Sequence, residues 1–172
     1  NKPFVYRCIN RLDRDTTGLT IVAKHALAGG ILGNAVAKRA IHRTYYAVCS
    51  GCTPAYMRIS APIARKDAST IERCVDFKRG ENAVTDFIRI KYNPDNNLSL
   101  VKLRLLTGRT HQIRVHMKYI GFPLIGDFLY NPDYTYISRQ ALHSGRLVFT
   151  HPVTGQKMNL ISDIPSDMKS LF

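Results

Sequence analysis

Apolar and polar residues alternate over much of this chain, and turn-forming residues interrupt the alternation at short intervals. The apolar run 19–23, closed by Lys24 and entered through Thr17-Gly18, predicts a short strand behind a turn. Residues 26–39 carry a helical pattern weakened by Gly29, Gly30 and Gly33, with Lys38 and Arg39 in its last turn, where cations suit the helix dipole. Further strands are predicted over 44–49, 58–65, 70–77, 83–92 and 98–106, and NPDNN at 93–97 is a loop. Strand after strand at short spacing predicts the α+β class, with a mixed, largely antiparallel sheet flanked by helices.

Thr107-Gly-Arg-Thr110 supplies a turn and an N-cap; residues 111–120 then have helical spacing, and Gly121 closes them. His111, Arg114 and Lys118 fall on one polar face of that helix and Ile113, Met117 and Ile120 on another, so the helix is expected to present a basic stripe. A second helix is expected near 138–145, followed over 150–161 by a turn at 152–155 and a final strand. No internal repeat, low-complexity tract or linker divides the chain, which predicts one domain over 1–172.

Composition adds a partner. Twenty-five Lys and Arg against twelve Asp and Glu leave a net charge of +13, which attracts polyanions and makes nucleic acid the economical expectation. The four cysteines, Cys8, Cys49, Cys52 and Cys74, lack the paired spacing of a zinc ribbon and are read as reduced thiols. The glycine cluster at 29–33 lacks the Gly-Lys-Ser/Thr ending of a phosphate loop. With no long apolar run and no signal peptide, a cytoplasmic monomer away from the membrane is expected.

The densest polar chemistry lies in NRLDRDTTGL at 10–19, where Asp13 stands between Arg11 and Arg14. Two readings are open: a solvated turn in which Asp13 pairs with either arginine, or a working carboxylate in a nucleic-acid groove. Tyr45 and Tyr46 are neighbours on a predicted strand, so one of them faces the core. His111 and His116 are badly spaced for a shared metal, His143 and His151 read as satisfied polar residues of the fold, and Asp127 reads as a turn cap.

The segment NRLDRDTTGL resembles the signature loop of the RluA-type pseudouridine synthases, His-Arg-Leu-Asp-x-x-Thr-Ser-Gly, with Asn10 in place of His and Thr17 in place of Ser. Similar matches follow in order: RTYYAVCSG at 43–51, APIAR at 61–65, AVTDF at 83–87, TGRTHQIRVHMKYIGFPLIGDFLY at 107–130 and ALHSGRLVFTHPVTG at 141–155. The resemblance implies that family's catalytic-domain fold, here without the earlier strand and the small RNA-binding domain that many members carry before it. It also implies that Asp13 is the catalytic carboxylate, that Arg114 pairs with it, and that Tyr45 stacks on the target base and assists deprotonation at C5. Arg11 is implied to fill the gap left by a flipped nucleotide, and Arg14, Arg109 and His111 to contact the RNA.

The reaction so implied converts specific uridines of ribosomal or transfer RNA into pseudouridine. The base leaves the stack, its bond from N1 to the ribose breaks, and it rejoins through C5. No redox change occurs and no group leaves the pocket, so neither cofactor nor metal is expected. One ionised carboxylate suffices, whether it attacks C6, attacks C1′ or first deprotonates the ribose. Two competing readings remain from the sequence: a catalytically silent RNA-binding domain, and a metal-free ribonuclease using two of the histidines.

Overall fold

The computed structural model describes residues 5–172. In chain order the elements are β1 (Arg7–Cys8), β2 (Thr17–Gly18), β3 (Val22–Ala23), α1 (Ala26–Ala37), β4 (His42–Ser50), β5 (Tyr56–Ser60), β6 (Ile63–Arg65) and β7 (Arg73–Val75). β8 (Val84–Asn93), β9 (Leu98–Leu105), α2 (Gln112–Tyr119), β10 (Leu142–Thr150), β11 (Lys157–Ile161) and α3 (Ser166–Lys169) complete it. The main sheet has seven strands in the order β11-β10-β4-β9-β8-β5, with β2 added beside β10. Every pairing is antiparallel except β2 with β10, which is parallel, and the fold is α+β as the alternation predicts.

Alternation on β4 sends Tyr45, Ala47 and Cys49 into one core and Tyr46 and Val48 into another. The first core packs Phe87, Val101 and Leu103 of the sheet against Ile113 and Met117 of α2. Each such side chain contributes about 1.5–3 kcal/mol by leaving water. On the opposite face Val48, Leu98 and Ile125 meet Met168 of α3. A third core joins Leu147 and Phe149 of β10 to Ala28 and Leu32 of α1. The ribbon β6–β7 stands apart from the main sheet and packs through Ile63 onto Ala83, Val115 and Tyr130.

Four expectations change. The helix expected near 138–145 is absent: Leu142, His143 and Ser144 belong to β10, pairing with Ala47, Tyr46 and Tyr45 on one side, while His143 and Ser144 pair with β2 on the other. A strand held from both sides needs no helical period. A bulge after Ser144 lets Gly145 lie against Tyr46, where a β-carbon would stand 2.5 Å from the ring. The predicted strand 58–65 breaks into β5 and β6 around Ala61-Pro62, since proline cannot continue a ladder. α1 ends at Ala37, so Lys38 is its C-cap and Arg39 lies beyond it, with a left-handed φ of 57°. α2 presents no continuous basic stripe: Gln112 through Met117 are all buried, and among its cations Lys118 is the exposed one.

Candidate active site

The signature loop is stitched shut by its own first residue. Asn10 is buried; its Oδ1 accepts from Ile21 N at 2.9 Å and its carbonyl accepts from the Thr20 hydroxyl at 2.7 Å. Within the loop Thr16 N donates to the Asp13 carbonyl at 3.0 Å, and Asp15 adopts a left-handed φ of 69°. Leu12 packs on the main core, which turns Asp13 toward α2. The far side is fixed by β10: Gly18 has φ 104° and lies against the Ser144 backbone, and the Thr17 hydroxyl meets His143 Nδ1 at 2.9 Å. Gln140 Nε2 donates to the Thr16 hydroxyl at 2.5 Å, and Arg139 reaches from a two-bond fork on Asp167 of α3 to the Asp15 carbonyl.

Asp13 thereby sits on the wall of a cleft of about 880 Å³. Its side chain is 27% exposed, and its Oδ2 accepts from Arg114 Nη1 at 3.2 Å. Arg114 itself is 2% exposed and directs Nε and Nη2 onto Asp127, at 2.6 and 2.7 Å. The rings of Phe128 and Tyr130 flank the guanidinium, 5.4 and 4.9 Å from its carbon. Tyr45 reaches the same cleft from β4, 5% exposed, with Arg43 and Ser144 beside its hydroxyl. Burial pushes its phenol up, so it stands protonated at neutral pH.

His111 caps α2 in a left-handed conformation, φ 56°, an arrangement that costs about 1 kcal/mol or more and is found where surroundings enforce it. The enforcement is visible: its Nδ1 lies 2.9 Å from the Tyr130 hydroxyl, which also accepts from Arg73 N. Burial lowers the His111 ring below the ordinary histidine value, and burial raises Tyr130 to about 12. The preceding loop is fixed by Gln112, whose Oε1 accepts from the Thr107 hydroxyl and Arg109 N and whose Nε2 donates to Val84 O and the Thr85 hydroxyl.

Of the residues expected at the site, Asp13, Tyr45, Arg114, Arg11, Arg109 and His111 all line this cleft. Arg14 does not; it pairs with Asp15 at 3.3 Å and lies 4.6 Å from the Phe128 ring. Arg109 is engaged with Glu81 and with the Asn82 carbonyl. His116 and His143 are satisfied inside the fold. The Ala61 carbonyl can only accept, so His116 Nε2 carries the proton and Nδ1 accepts from the Thr85 hydroxyl. His151 caps the turn at 152–155 through Nδ1. Asp127 does cap a turn, accepting from Leu129 N and Tyr130 N, but its grip on Arg114 is not evident from spacing. Its setting in LIGDFLY, a charge inside an apolar run, is the signal of a buried, paired carboxylate.

The cleft wall also carries Arg39, His42, Arg43 and Arg104, against which Asp13 is the only carboxylate among the described lining residues. Such a surface suits a polyanion whose reacting atom is brought to one fixed negative charge. The described cysteines are free, with Cys49 buried and Cys8 and Cys52 exposed, and no described helix is long and apolar enough to cross a membrane.

Comparison with known proteins gives the same direction. A family model described as RNA pseudouridylate synthase matches residues 1–119. The chain is 47% identical over 166 residues to YjbO of Bacillus subtilis, an uncharacterized RNA pseudouridine synthase, covering 95% of this chain and 57% of that protein. It is 37% identical over 174 residues to ribosomal large subunit pseudouridine synthase D of Zymomonas mobilis, covering 95% and 54%. The chain thus spans just over half the length of these curated relatives. The solved structure of human RNA pseudouridylate synthase domain containing 1 superposes with a TM-score of 0.80 at 26% identity, over 92% of this chain and 69% of that one. The signature loop, the family match and these relatives together establish that the chain belongs to the RNA pseudouridylate synthase family, in its RluA-type branch.

Proposed function

We propose that this chain isomerises uridine to pseudouridine in RNA, with Asp13 as the reacting carboxylate. The observation that carries the reading is Asp13 as the single carboxylate among the described lining residues of a cationic cleft, part exposed and bonded to a buried guanidinium. An everted nucleoside entering there meets Asp13 Oδ1, which accepts no hydrogen bond from the described residues, while Oδ2 is held by Arg114. Loss of the N1–C1′ bond, rotation of the uracil, formation of C5–C1′ and transfer of the C5 proton balance as an isomerisation. Tyr45, protonated and buried, is suited to stacking on the base more than to removing that proton.

Arg11, on the cleft wall, is assigned to the space left by the flipped base, and Arg109 and His111, on the same wall before α2, to phosphates or the nucleoside. For Arg109 that interaction exchanges the Glu81 carboxylate for a phosphate. Arg14, outside the cleft, is assigned to RNA on the flank of the loop. Ribosomal RNA is the favoured substrate because relatives of this chain are named ribosomal large subunit pseudouridine synthases. The chemistry asks for no cofactor or metal.

The test is release of tritium from RNA labelled at uracil C5, with Asp13→Ala and Asp13→Asn alongside. Release by the wild type that both substitutions abolish supports the reading. RNA binding without release points to a silent binding domain, and shortened RNA to a nuclease.

A further inference from the structure

We infer that His111 is a specificity-determining residue: its Nε2–H, fixed by the Tyr130 hydroxyl, donates to a carbonyl oxygen of the everted uracil and not to a phosphate. The inference rests on the proposed isomerisation and names the part of the substrate that this residue meets.

The hydrogen bonds around Tyr130 set the tautomer. Its buried hydroxyl accepts from Arg73 N at 2.9 Å, and the one acceptor beside it among the described residues is His111 Nδ1, also at 2.9 Å. Burial raises the phenol to about 12, so it keeps its proton. A buried hydroxyl proton without an acceptor is costly; this one goes to His111 Nδ1, which must then carry a lone pair. The proton of the neutral imidazole therefore sits on Nε2. The two rings stand edge-on, with centroids 5.7 Å apart and planes at 80°. Nε2 has no hydrogen-bond partner among the described residues, and His111 lines the cleft that holds Asp13.

The same contact keeps the ring uncharged. An imidazolium would aim an N–H at the Tyr130 hydroxyl and take away the acceptor of its proton. Burial acts in the same direction; of the charged groups nearby, Asp13 and Asp127 favour the cation, while Arg114 and Arg73 oppose it. In a wall where Arg11, Arg43 and Arg104 already offer cations, a neutral donor adds little to phosphate binding. What it offers is direction. Both carbonyl oxygens of uracil can only accept, and a single oriented N–H pairs with such an oxygen while rejecting a base that presents a donor there. The left-handed φ of 56° is a cost that holding this donor in place explains.

Two measurements test this without turnover. Nitrogen-15 imidazole spectra of the wild type at neutral pH should show His111 protonated at Nε2 and bare at Nδ1, and Tyr130→Phe should relax that preference. A ring protonated at Nδ1, or at both nitrogens, overturns the inference. RNA binding by His111→Asn should keep the wild-type salt slope, and a slope shallower by about 0.7 would mark a phosphate ligand and overturn it as well. Asparagine tolerates the left-handed backbone and can accept from Tyr130, but it ends short of the Nε2 position. In tritium release, His111→Asn should raise KM about 10-fold with kcat little changed, and His111→Gln, whose amide nitrogen reaches further, should recover most of that loss. Equal losses in the two variants would mark a merely structural residue. Transcripts carrying 2-thiouridine or 4-thiouridine in place of uridine locate the acceptor, because sulfur accepts hydrogen bonds poorly. One of them should raise KM for the wild type and make no further difference to His111→Asn; if neither does, His111 does not meet the base. An Nε2–H ring in a wild type that releases no tritium refutes the isomerisation, whereas an Nδ1–H ring in an active wild type refutes this inference alone.

Discussion

Gly18 lies so close to Ser144 that a β-carbon on it would stand 2.3 Å from the Ser144 carbonyl oxygen, and its φ of 104° disfavours any side chain. Both facts concern the junction at which the loop bearing Asp13 joins β10. Gly18→Ala should therefore cost about 2 kcal/mol or more, read as a lower urea midpoint, and should impair turnover beyond the loss of folded protein.

Arg114 and Asp13 should separate stability from activity. Asp13→Asn leaves the buried fork on Asp127 whole, so unfolding free energy should change by no more than about 1 kcal/mol while tritium release is abolished. Arg114→Ala strands the Asp127 charge in the interior and should cost about 3–5 kcal/mol. Chemical denaturation of both variants checks the contrast, and equal losses would contradict it.

Gln112 satisfies four partners from one buried amide, holding the 107–110 loop against β8. Gln112→Leu fits the volume but orphans those groups, each at about 1–3 kcal/mol. Global destabilisation of at least about 2 kcal/mol is expected, along with faster amide exchange at Arg109.

Acid should destabilise the protein. Burial holds His111, His116 and His143 below the ordinary histidine value, so the native state keeps them neutral where an unfolded chain takes up protons, below about pH 6.5. The unfolded state then binds more protons, so their contribution is complete above about pH 6.5 and is lost as pH falls. A lower urea midpoint at pH 5.5 than at pH 7.5, with His116 ring signals still neutral at pH 6, is the expected pair of results.

RNA affinity should fall steeply with salt. Arg43 and Arg104 line the cleft with no carboxylate partner among the described ion pairs. Replacing either by Ala should weaken binding and make the salt slope shallower by about 0.7 for each single-strand phosphate that is no longer neutralised. A slope unchanged in both variants would place the strand elsewhere.

Local pattern reveals some of this architecture and conceals the rest for physical reasons. β4, β8 and β9 alternate, with one face of each in the main core, so 44–49, 83–92 and 98–106 are legible as strands. β10 is not, since Leu142, His143 and Ser144 are all buried between neighbours and show neither strand nor helix period. Asp13 and Arg114 are legible through resemblance to known signatures. Asp127 is legible only by half, because a turn cap is read from local spacing whereas its hold on Arg114 depends on how α2 packs. The exposed arginine expected on α2 is a buried one for the same reason.

Arg139 ties Asp167 of α3 to the Asp15 carbonyl, residues on opposite ends of the chain. Losing that short helix would leave every described group of the cleft wall intact in sequence, yet slacken the backbone that aims the Asp13 carboxylate. Damage to α3 should thus register first as imprecise chemistry and only later as unfolding.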